Sequence, residues 1–125
     1  SMQDLKALIA GHDGLLIVTP EYNGCAPPLL VNMFAWTSRP ENDEISCAAY
    51  ANKPVAIAAA SPGGLGAVRV IPRLRDALAE LGAVAVPGFA TLPAAFQAFN
   101  DDGTLKDEKA AGMLKGLAER LAAAL

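Results

Sequence analysis

The 125-residue chain is poor in the groups that most protein chemistry uses. Aromatic residues make up 6% of it and charged residues 18%, with His12 the single histidine. One histidine excludes a multi-histidine metal centre, and no other metal-ligand spacing replaces it. Two cysteines, Cys25 and Cys47, are too few and too far apart for a disulfide scaffold or a Cys-x-x-Cys site. No apolar run is long enough to span a bilayer, and no charged leader precedes an apolar stretch. The 10 basic residues are scattered among 13 acidic ones, net −3, which argues against a nucleic-acid or acidic-lipid surface. There is no Ser–His–Asp set and no Gly-x-Ser-x-Gly elbow, so an activated-serine hydrolase has little support. A cytoplasmic protein is expected.

Alanine and short apolar runs dominate what is present. Hydrophobic residues total 53%, which excludes disorder, and the length suits one domain over residues 1–125. Ser1 before Met2 reads as a scar of tag removal, with the native frame, or the fragment chosen from it, starting at Met2. Gln3–Ala10 has helical spacing and Gly11 ends it. Gly14–Thr19 is a continuous apolar run, the pattern of a strand buried on both faces in a parallel sheet. A Pro/Gly/Asn-rich loop, 20–28, leads into an apolar helix from Pro28 to about Arg39–Pro40. Glu41–Asn52 is a polar loop of a length that often covers a site. Pro54–Ala60 is a second buried strand, followed by Ser61-Pro-Gly-Gly-Leu-Gly66 and a helix to Leu81. Ala83–Val86 is a third strand, 87–100 has no clear pattern, and Asn100–Gly103 is a turn. A last helix, Lys106–Leu125, carries Leu114, Leu117, Leu121 and Leu125 on one stripe.

Helices alternating with buried strands indicate a doubly wound α/β sheet, whose ligand crevice lies beyond the carboxyl ends of its strands. Both loops of unusual composition sit at those ends. In Thr19-Pro-Glu-Tyr-Asn-Gly24, Pro and Gly shape the backbone, Tyr22 could lie against a flat ring, and Asn23 both donates and accepts. The alternative is a structural turn in which Asn-Gly supplies positive φ angles. Ser61–Gly66 fits neither glycine-rich phosphate motif and suits close backbone approach to a planar ligand, or a flexible strand-to-helix turn. Cys25 lacks an activating partner and reads as a small apolar residue. His12 reads as a surface or capping residue. Arg69, Arg73 and Arg75 could meet a dinucleotide phosphate, or form a solvated face or subunit contact.

Several of these segments together resemble one family. Gly14-Leu-Leu-Ile-Val-Thr-Pro-Glu-Tyr-Asn-Gly24, then Pro28, Asn32 and Trp36-x-Ser38-Arg39-Pro40, is similar to the NAD(P)H-dependent FMN reductases. So are Lys53-Pro-Val-Ala-Ile-x-x-Ala60-Ser-Pro-Gly-Gly-Leu-Gly66 and Phe99-x-Asp-Asp-Gly-x-Leu105. The resemblance implies a flavodoxin-like three-layer α/β/α fold with a parallel sheet and FMN at its carboxyl edge. Pro20, Glu21, Tyr22, Asn23 and Gly24 would contact the flavin ring, largely through backbone groups, and Ser61, Pro62, Gly63 and Gly64 would line it from the next strand. Hydride would pass from NAD(P)H to FMN and on to a quinone, azo, nitro or metal-oxyanion acceptor, with no protein residue acting as acid or base. Relatives of this kind are homo-oligomers. Val31 and Ala35 depart from the family's usual Lys and Asp.

The resemblance also implies an N-terminally truncated domain, short of about one βαβ unit with its phosphate-binding loop. Leu15–Thr19 would then be an exposed edge open to pairing with another chain, and FMN, reached only at its ring, is expected to bind weakly or not at all, leaving the chain inactive as it stands in the latter case. The competing reading is a non-catalytic remnant that acts as an oligomerising module.

Overall fold

Val55–Ala59 is the most deeply buried stretch of the chain, and the rest of the fold is arranged around it. The computed structural model describes residues 1–125. Its elements are α1 (Met2–Gly11), β1 (Leu15–Pro20), α2 (Pro28–Thr37), β2 (Pro54–Ala60), α3 (Val70–Glu80), β3 (Val84–Ala85), β4 (Ala90–Leu92), a 3-10 turn (Ala95–Gln97) and α4 (Glu108–Ala123). β2 lies at the centre and all its pairings are parallel: β1 on one side, β3 and β4 in succession on the other. Strand alternation sends Val55, Ile57 and Ala59 to one face, where they pack with Ile9, Phe34, Val70, Ile71, Leu74 and Leu78 of α1, α2 and α3. Ala56 and Ala58 face the other way, against Leu117 of α4. The result is the expected three-layer α/β/α arrangement. Alanines at 56, 58 and 59 let the helices approach the sheet closely, and the bulk comes from the helices; full burial of each large aliphatic contributes about 1.5–3 kcal/mol.

Several local expectations change. β1 is not buried on both faces: Leu16 is 45% and Val18 66% exposed, because β1 is the sheet's edge and only β2 pairs with it. The third strand is shorter than Ala83–Val86, and the patternless stretch after it holds β4. β3 and β4 are one line of pairing broken at Val86–Phe89, where Pro87 lacks a donor and Gly88 has φ +80°. Arg120 of α4 donates to the Pro87 carbonyl at 2.8 Å and Arg75 of α3 to that of Gly88 at 2.9 Å, so both helix layers secure the break. Arg75 also stands 5.4 Å over the Phe89 ring. Along α4 only Leu117 is fully buried; Leu125 is 66% exposed.

Residues 41–52 cover no carboxyl-edge site. They close the opposite end of the sheet, where the crossover from α2 must return the chain to the start of a parallel strand. There Asn52 donates to the Gly82 carbonyl at 2.8 Å, and Lys6 of α1 meets Glu44 at 2.5 Å. Lys53, buried, donates to the carbonyls of Ile9 and His12 and closes the end of α1. Tyr50 is fully buried, edge-on to Phe34 with centroids 5.9 Å apart, its hydroxyl 2.5 Å from Thr37 Oγ1.

Burial raises the Tyr50 phenol above its ordinary pKa, more than the Thr37 hydrogen bond lowers it. The native state therefore favours the neutral phenol. That contribution is whole below the unfolded value of about 10 and is lost as pH rises through the folded one. Thermal melts from about pH 9 to about pH 11 should show a falling midpoint that flattens in Tyr50→Phe. An equal slope in both proteins would contradict this.

Candidate functional site

Three loops leave the sheet at one level. In the register, Pro20 lies beside Ala60 and Ala60 beside Leu92, so residues 21–25, 61–66 and 93–97 all begin at the same carboxyl edge. Of the nine residues singled out from the sequence, eight, at 21–24 and 61–64, are on the first two of these loops, and Pro20 ends β1 at the root of the first. Cys25 follows the first loop, is exposed and has no disulfide.

The first loop is a two-residue turn. Tyr22 N donates to the Cys25 carbonyl at 2.9 Å and Cys25 N to that of Tyr22 at 3.0 Å. Asn23 and Gly24 complete it with φ of 52° and 77°, the paired positive angles of a tight hairpin. The Asn-Gly pair thus has the conformational role that sequence chemistry allowed it, and Tyr22, 55% exposed, is displayed beside it. Glu21 does not project from the edge. Its side chain is 4% exposed and is turned toward α3, where Oε2 accepts from Arg69 Nε and Nη2 at 2.9 and 2.7 Å and Oε1 from the Val70 amide at 2.9 Å.

In the second loop, Gly66 is required by geometry: φ is +62° and a Cβ would stand 2.9 Å from Pro93 N. Gly63 and Gly64 have no such reason to be glycine. Neither has a positive φ; a Cβ on Gly63 would meet only Ser61 Oγ, at 4.0 Å, and one on Gly64 nothing. The exposed amides of Asn23, Gly63 and Gly64 donate no hydrogen bond within the chain. Bare backbone with unpaired donors thus lies one strand from an exposed aromatic.

The third loop was not anticipated from the sequence. Ala94 N bonds the Gly63 carbonyl at 3.2 Å and Ala95 N that of Ser61 at 3.0 Å, which ties the 3-10 turn to the second loop. That turn carries Phe96, 89% exposed and the most exposed large hydrophobic residue of the chain. Residues 87–100 offered no periodicity, but three of the chain's four phenylalanines, Phe89, Phe96 and Phe99, fall there and were the available signal. Arg69 is ion-paired with Glu21, while Arg73 and Arg75 donate to the carbonyls of Gly24 and Gly88.

Comparison with known proteins identifies the family. The model of one family, described as NADPH-dependent FMN reductase, matches residues 1–97. The chain belongs to the NADPH-dependent FMN reductase family. Its relatives include a 2-hydroxy-1,4-benzoquinone reductase of a Burkholderia species, 42% identical over 63% of this chain and 41% of that protein. An NAD(P)H-dependent FMN reductase of Pseudomonas aeruginosa is 32% identical over 92% of this chain and 60% of its own. Among solved structures, the flavoenzyme NAD(P)H:(acceptor) oxidoreductase FerB of Paracoccus denitrificans superposes with a TM-score of 0.79 at 32% identity, covering 96% of this chain and 64% of FerB. The chain spans about half the length of these curated FMN reductase relatives. No helix is long and apolar enough to cross a membrane.

Gly66 holds the second and third loops in contact, so Gly66→Ala should destabilise the fold by about 1–3 kcal/mol through its left-handed backbone and the clash at Pro93. A chemical-denaturation midpoint equal to that of the parent would show that the contact yields freely.

Proposed function

We propose that residues 1–125 act as a single flavodoxin-like domain that presents the flavin-ring site of an NAD(P)H-dependent oxidoreductase. One observation carries the reading. Gly63 and Gly64 are glycines that neither backbone angle nor any neighbouring atom requires, and their free amides lie one strand from Tyr22 and Asn23. A planar ring stacked against bare backbone accounts for both the missing side chains and the unused donors.

Bound FMN would supply the redox chemistry, accepting two electrons from a reduced nicotinamide and delivering them to a quinone, azo, nitro or metal-oxyanion acceptor. The chain's work is to bind and orient. The amides of Asn23, Gly63 and Gly64 would donate to the polar edge of the ring. Tyr22 would lie against it, and Pro20, Ser61 and Pro62 would hold the two backbone segments in place. No side chain in either loop serves as general acid or base. The named relatives support quinones as the first acceptors to try. Both free cysteines suit the cytoplasm, where thiols are kept reduced.

Flavin fluorescence quenching tests this directly. Saturable quenching is expected with both FMN and riboflavin, FMN no more than about tenfold tighter, because neither loop contributes a free cation to the phosphate. Gly64→Val, whose side chain enters open space, should leave the melting midpoint within about 1 °C while removing the quenching. Absence of quenching by either flavin would sink the proposal.

One observation favours a second reading, a non-catalytic domain that associates with copies of itself. The outer edge of β1 is unpaired, and Leu16 and Val18 border an apolar groove of about 440 Å³ that continues to Leu92, Leu105 and Leu114. Such an edge pairs readily with another strand. Light scattering should show a homo-oligomer that Val18→Lys dissociates; a monodisperse monomer in the parent protein would rule this reading out.

A further inference from the structure

We propose that Glu21, Arg69 and Arg73 form a lock that sets the separation of the two loops, so that Glu21 is a positioning residue and makes no ligand contact through its side chain. The functional consequence rests on the flavin-ring reading; the lock itself rests on geometry alone.

The strand register fixes only the bases of the loops, at Pro20 and Ala60. Beyond it, the first loop is a turn closed by the Tyr22–Cys25 pair, with Pro20 unable to donate at its root. Helix α3 supplies what the register does not. Its N-cap residue, Arg69, and first residue, Val70, take the Glu21 carboxylate at one end of the turn. One helical turn later Arg73 donates to the Gly24 carbonyl at the other end. A Cβ on Gly24 would come within 3.3 Å of Arg73 Nη1 and 3.9 Å of Arg69 Nε, so both guanidinium groups lie directly against the turn. Because α3 begins just after the second loop, the same short segment holds the first loop in place.

The arrangement is also selective for charge. A carboxylate 4% exposed loses most of its hydration, and three donors, two of them cationic and one at a helix N-terminus, replace it. Arg69 is 56% exposed and keeps much of its own hydration. The burial cost falls on Glu21: Arg69→Ala leaves its carboxylate buried with the Val70 amide as its one donor, whereas Glu21→Ala removes all three bonds and leaves Arg69 in solvent.

Amide hydrogen exchange on the full chain, without flavin, tests the lock. In Arg69→Ala and Glu21→Ala, exchange at Tyr22 and Cys25 should rise at least about tenfold while Val55–Ala59 is unchanged. The double substitution should equal Glu21→Ala alone, and Glu21→Gln, which keeps an oxygen for the Val70 amide, should recover part of the protection. If Glu21→Ala does not fold, Arg69→Ala and Glu21→Gln carry the test. Unchanged exchange at Tyr22 and Cys25 overturns the lock whatever flavin does. Riboflavin affinity should fall about tenfold in Arg69→Ala. Raised exchange with unaltered affinity overturns the claim that the lock sets the site. If the parent chain binds no flavin, the functional reading fails and the exchange data alone decide the lock.

Discussion

The register that sets Pro20 beside Ala60 and Ala60 beside Leu92 governs the rest of the molecule. Parallel strands must all end at the same edge, so the chain leaves the sheet three times within one small region and returns by crossovers on the far side. The apolar runs 15–20 and 54–60 are committed to this arrangement by composition. Neither alternates with polar residues; Val55–Ala59 are buried on both faces, whereas Leu16 and Val18 of β1 stand exposed on one. The three loops, with their bare backbone, displayed Tyr22 and displayed Phe96, follow from that register. The opposite end, closed by Asn52, Lys53 and the loop before them, has purely structural contacts.

Packing and charge then refine what the register begins. Alanines on β2 bring α3 and α4 close, and Arg75 and Arg120 reach from these two layers to the broken third line of pairing. The turn at 22–25 receives similar treatment from Arg69 and Arg73. Four arginines of a chain with few charges thus bond carbonyls or a carboxylate in irregular segments, where backbone groups lack ladder partners. The arginines of α3 and α4, with Arg69 before α3, bind the loops.

Much of this was legible in the sequence because it is local. Pro54–Ala60 is a strand in the structure with the bounds its apolar run suggests, and Asn23-Gly24 adopts the positive φ angles that its chemistry allows. The two loops could be placed at one edge from the order of elements alone. What was not legible is relational. β4 has three residues and follows Pro87-Gly88, too short to carry a period, and it exists because β2 offers a free ladder. Glu21 looks like a ligand residue beside Tyr22 and Asn23; its partner is 48 residues away and visible only in three dimensions. The exposure of β1 likewise reflects which strands pair with it: its own apolar residues read as buried on both faces, and only the family resemblance pointed to an exposed edge.

The central claim is that the backbone of the first two loops forms a flavin-ring surface. The most direct measurement is a ¹⁵N-resolved NMR titration of the chain with FMN, following each backbone amide. The account predicts shifts concentrated at Asn23, Gly63 and Gly64, with Tyr22 and the Phe96 turn at the margin and the 41–52 loop silent. Shifts confined to the β1 edge groove or the 41–52 end, or none at saturating flavin, would contradict it.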